Sequence, residues 1–63
     1  MGPDLAELSS ISSSLDQLGR RLESIAEAAD RAKDESSAAE LFGIERALSG
    51  ATRRLTRFVE RRQ

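Results

Sequence analysis

The chain contains no cysteine, histidine, tryptophan or tyrosine, and a single proline in 63 residues. Without Cys or His, a zinc finger, a disulfide framework, a thiol nucleophile and an imidazole base are all excluded. A metal site would have to be built from carboxylates, and a catalytic dyad from Ser, Lys or carboxylates. Glu23, Glu27, Asp30 and Asp34 line part of one helical face. Arg20, Arg31 and Lys33 are interspersed among them, with Asp16–Arg20 and Glu27–Arg31 at i, i+4 spacing, so a solvated charged face is expected there. Lys33 is the only lysine, and no serine is placed to form a dyad with it. No catalytic, cofactor-binding or metal-ligating residue is therefore expected, and the chain reads as non-enzymatic. Apolar residues never run more than two together. That is too short for a membrane span or the apolar core of a secretory leader, so a cytoplasmic protein without membrane insertion is expected.

What the chain does have is spacing. Apolar residues fall at Leu8, Ile11, Leu15, Leu18, Leu22, Ile25, Ala29 and Ala32, alternating three and four apart. The same alternation runs through Leu41, Ile44, Leu48, Ala51, Leu55 and Phe58. All fourteen of these positions are apolar, against ten of the other forty-nine, which is the pattern of a helix-packing seam. Written as heptads, Leu8, Leu15, Leu22, Ala29, Leu41, Leu48 and Leu55 are a positions, and the other seven are d positions. The serines Ser9, Ser10, Ser12, Ser13 and Ser14 skip both, and so read as a polar helix face rather than a linker.

One continuous helix is disfavoured by phase. Ala29 and Leu41 are both a positions but lie twelve residues apart, and the five-residue slip would swing the second stripe about 120° away from the first. A chain reversal within the polar stretch Lys33-Asp34-Glu35-Ser36-Ser37 removes the conflict. Ser37 with Glu40 has the form of a capping box, as does Asp4 with Glu7 beside Pro3. The expected architecture is all-α, a single antiparallel two-helix hairpin. Helix 1 is placed near 4–33, the turn near 34–37 and helix 2 near 38–61. One register pairs residues whose numbers sum to 73, setting Ala29 against Ile44 and Leu15 against Phe58. Another, summing to 66, sets Leu8 against Phe58 and is expected to need a longer loop.

A two-helix hairpin leaves half of every seam residue wet, and a chain this small has little core of its own. Small residues at Ser12, Ser14, Gly19, Ala26 and Ala28 broaden the stripe and permit close helix approach. Phe42 and Val59 lie off the seam and are candidate partner contacts. The expectation is dimerisation into a four-helix bundle, or docking on another helical protein, with the fourteen seam residues carrying the interaction. The functional reading is a small protein–protein interaction module, an assembly or adaptor subunit.

Net charge is −1, and nine of the ten cations are Arg. Arg53, Arg54, Arg57 and Arg61 cluster near the end of helix 2 and form the candidate contact for an anionic partner. The alternative reading is thus a small nucleic-acid-binding regulator. The missing Trp and Tyr and the near-neutral total disfavour it, while the helix dipole accounts for cations at that end. Finally, Leu41-Phe42-Gly43 just after the turn resembles the WXG100 family of small secreted helical-hairpin dimers. Gly43 matches that family's Gly, Leu41 stands where its Trp would be, and no Tyr is present for its C-terminal export signal. That resemblance implies a secreted hairpin as a third alternative.

Overall fold

The computed structural model describes residues 2–63, which form two helices: α1 (Leu5–Arg31) and α2 (Glu35–Arg62), packed against each other as an antiparallel hairpin. The start of α1 follows from Asp4, whose extended backbone and side chain make it the N-cap. Its Oδ1 accepts the Glu7 N–H at 3.0 Å, satisfying one of the donors that a helix start leaves open.

The reversal is tighter than the sequence suggests. α1 ends in a Schellman motif: the Lys33 N–H donates to the Asp30 carbonyl and the Asp34 N–H to the Ala29 carbonyl, each at 3.0 Å. Lys33 takes the left-handed conformation this requires, with φ 67°. Asp34, the last residue of that motif, is also the N-cap of α2, accepting the Ser37 N–H at 3.2 Å. The turn is therefore Ala32-Lys33-Asp34 rather than 34–37, and α2 starts at Glu35 rather than near 38. Ser37 is a donor to the cap and not the cap itself. Asp and Ser offer overlapping cap signals here. The aspartate prevails because its backbone position also closes the preceding helix.

The short turn sets the register. Ser12 Oγ lies 2.8 Å from Thr56 Oγ1, and a Cβ built on Gly19 would stand 3.8 Å from Leu48 Cδ2. Partner numbers thus sum to 67 or 68, not 73. The pairing is within two residues of the alternative summing to 66, and a short loop reaches it.

The packed stripe is also rotated from the fourteen-residue seam. Along α1 the less exposed positions are Leu5, Leu8, Ser12, Leu15, Gly19, Leu22, Ala26 and Ala29; along α2 they include Ala38, Leu41, Glu45, Leu48, Thr52, Leu55 and Val59. The a positions face the other helix, and the e positions share that interface. Small e residues on α1 (Ser12, Gly19 and Ala26) let the backbones approach closely, so the two helices turn toward them. The only fully buried residues described are Ala26, Ala38 and Val59. Ser12 accordingly lies where the polar face meets the interface, half-buried and bonded across to Thr56. Val59, expected as an exposed partner contact, is packed inside the hairpin.

Candidate functional site

Rotating the contact toward a and e positions leaves the d positions behind. Ile11 is 41% exposed, Leu18 46%, Ile25 57% and Ile44 53%, the large apolar side chains most open to solvent. Ala32 and Ala51 are exposed as well, and Phe58 is half-buried. These seven are the d half of the expected seam, and the structure leaves six of them exposed and Phe58 half-buried, at the edge of the packing between α1 and α2.

They share one side of the molecule. In an antiparallel pair, equivalent heptad positions of the two helices lie on the same side of the plane through their axes. The opposite edge makes this concrete, since Ser12, Ser13, Asp16, Gln17 and Arg20 of α1 there line a common hollow with Thr52 and Thr56 of α2. That edge is polar and carries the Ser12–Thr56 hydrogen bond and the one ion pair among the described residues, Asp16–Arg20 at 2.9 Å. Glu27 and Arg31, at the same spacing, form no ion pair. The d side is the reverse: Ile11, Leu18 and Ile25 from α1 lie alongside Ile44, Ala51 and Phe58 from α2. The hairpin thus has one wet side and one apolar side.

The arginine cluster sits at the far end of the apolar side. A shallow hollow there has Ala51, Leu55 and Phe58 as its apolar lining and Arg54, Arg57 and Arg61 among its charged residues. Several guanidinium groups are engaged by their own helix. Arg53 donates to Ser49 Oγ at 3.0 Å, and Arg61 and Arg62 donate to the carbonyls of Arg57 and Phe58 at 3.4 Å. The last two are i, i+4 contacts that fold these side chains back along the final turns of α2. Arg62 also lies over the Phe58 ring, 3.7 Å from its centroid, a contact worth about 0.5–1 kcal/mol at an exposed site. Arg54 and Arg57 donate to no acceptor among the described residues.

Phe42 is half-buried on α2, away from the d side, and Leu41-Phe42-Gly43 is continuous helix in the second turn of α2. Gly43 and Gly50 lie beside the guanidinium groups of Arg46 and Arg53, with room for a methyl group. Glu23, Glu27, Asp30 and Asp34 come together in no metal-binding group among the described residues. Among the described residues no helix is long and apolar enough to cross a membrane. The Asp34 carboxyl has a lowered titration. Its hydrogen bonds from Ser37, through the hydroxyl first and the backbone N–H second, hold it below its ordinary value of 3.8.

The apolar side is made of the d residues of the sequence stripe, whose spacing alone does not separate them from the hairpin contact. The small e residues carried the available signal. Comparison with known proteins adds nothing to this geometry: no family model matches the chain, and neither curated proteins nor solved structures give a significant match.

Proposed function

We propose that this chain is a non-enzymatic helix–helix interaction module that dimerises through its apolar side into a four-helix bundle, serving as a small assembly or adaptor subunit. The observation that carries this reading is the continuous d stripe of Ile11, Leu18, Ile25 and Ile44, four branched aliphatic side chains left 41–57% exposed. Monomeric proteins rarely leave a contiguous apolar face of this kind uncovered.

Surface area and shape support the same reading. The hairpin exposes 4878 Å², where a compact monomer of its mass exposes about 4000 Å². The excess is close to the roughly 800 Å² that each partner contributes to an ordinary protein–protein interface. Its extents of 50 × 14 × 13 Å and radius of gyration of 14.6 Å describe a rod, where a globule of this length has a radius near 11 Å. Two such rods laid face to face make a four-helix bundle with its apolar side chains inside. The molar mass in solution at micromolar concentration tests the proposal: a folded helical monomer overturns it.

The second reading, an anionic or nucleic-acid partner, is favoured by one observation, the unengaged guanidinium groups of Arg54 and Arg57. It requires binding that falls steeply with salt and weakens when Arg53, Arg54, Arg57 and Arg61 are replaced by Gln. Salt-insensitive binding, or none, removes it.

A further inference from the structure

Two hairpins can place their apolar sides together in two ways that keep every neighbouring helix antiparallel. A two-fold axis along the rod puts both turns at one end and sets α1 of one copy against α2 of the other. A two-fold axis across the rod puts the turns at opposite ends, with α1 facing α1 and α2 facing α2. The apolar stripe fits both arrangements, so the choice falls to charge.

The rod is electrostatically polar along its length. Residues 23–45, which form the turn end, carry seven acids (Glu23, Glu27, Asp30, Asp34, Glu35, Glu40 and Glu45) and two bases, Arg31 and Lys33. The open end, residues 2–10 and 53–63, carries five arginines against Asp4, Glu7 and Glu60. The g positions of α2, beside the apolar stripe, repeat the pattern: Glu40 near the turn, then Ala47, then Arg54 and Arg61 near the open end, all exposed. With the turns together, Arg61 of each copy faces Glu7 of the other, but the two clusters of seven acids are stacked at one end. With the turns apart, each acidic end lies along the other copy's arginines, and Glu40 comes within about one helical turn of Arg61. Like charges held within a Debye length of about 8 Å repel across the interface, while opposite ones steer and orient it.

We infer that the partner on the apolar side is a second copy of this chain, turned end for end, so that its turn lies against the Arg54–Arg61 segment of the first. This rests on the dimer reading above and specifies its geometry. Leu18, in the middle of the stripe, then lies near the two-fold axis, with Ile11 of one copy toward Ile25 of the other.

The chain lacks cysteine, so a single introduced thiol reports unambiguously. The test is a Ser36→Cys variant carrying a nitroxide, with the intermolecular distance read by pulsed dipolar spectroscopy and the molar mass by light scattering. Ser36 is exposed and lies next to the turn. The expected distance is about 40–50 Å, given the 50 Å rod and the 1.5 Å rise per helical residue. A dimer with a distance below about 25 Å, the width of a bundle of 10–12 Å helices, overturns the end-for-end arrangement and leaves the dimer reading standing. A folded monomer overturns both. The same measurement at Lys33→Cys, within the turn itself, guards against a local effect of the label on the start of α2.

Discussion

Ser12 and Thr56, forty-four residues apart, share a hydrogen bond of 2.8 Å between their hydroxyl oxygens. It is the one side-chain hydrogen bond between α1 and α2 among the described residues, and it lies on the wet edge of the hairpin. An exchange of this kind contributes roughly 0.5–1.5 kcal/mol net. Ser12→Ala and Thr56→Val should therefore each destabilise the hairpin by about 1 kcal/mol or less. The double variant should cost less than the two singles added, since the pair interacts. Urea denaturation of the four proteins checks this; strict additivity contradicts the bond.

Lys33 holds a left-handed conformation, φ 67°, in which an L side chain other than Gly or Asn is unfavourable by about 1–2 kcal/mol. Lys33→Gly relieves that strain while adding freedom to the unfolded chain. The expected net effect is a gain of about 0.5–1 kcal/mol, visible as a higher thermal midpoint by circular dichroism.

Asp34 caps α2 while the Schellman motif runs through its backbone, so the side chain alone distinguishes the two functions. Asp34→Ala should lower the thermal midpoint, whereas Ser37→Ala keeps the Ser37 N–H and should lower it less. The ordering reverses if Ser37 is the cap. The pH dependence has a fixed sign. Because the folded carboxyl titrates below its ordinary value of 3.8, its contribution is present above that value and is lost as pH falls through the lowered folded one. Thermal melts between about pH 5 and pH 2 should show Asp34→Asn losing less stability on acidification than the parent chain.

How much of this was legible in the residues differs by level. The alternation of three and four, the change of phase between Ala29 and Leu41, and the Asp4 cap point to two helices joined by a reversal. The turn was obscured because Lys33 occupies a position where glycine usually announces a Schellman motif, and because Asp34 and Ser37 offer competing caps. The rotation of the interface was hidden for a different reason. A stripe broad enough to include a, d and e positions exceeds what one neighbouring helix covers, so heptad letters alone do not say which edge goes inside. The small residues Ser12, Gly19 and Ala26 decide it, by allowing the closest approach along the e edge.

The division of the stripe gives a selective test of the two interfaces. Leu18 and Ile25 are half-exposed in the hairpin, so Leu18→Ser and Ile25→Ser should leave its helicity largely intact while weakening self-association, by tenfold or more if each side chain is buried in the bundle at about 1.5–3 kcal/mol. Ala26 is fully buried at the hairpin contact. Ala26→Leu should instead disrupt the pairing of α1 with α2 and cost about 1–3 kcal/mol through overpacking. Equal effects of the two kinds of change on association would mean that the d stripe has no separate role.

The central claim is that the apolar side of the hairpin is the face it shares with a second copy, and the most direct test is the molar mass of the folded chain in solution. Sedimentation equilibrium at micromolar concentration should give twice the 6.9 kDa of the chain, and Leu18→Ser should shift it toward the monomer with the helical signal retained. A folded, helical species of 6.9 kDa across that concentration range would contradict it.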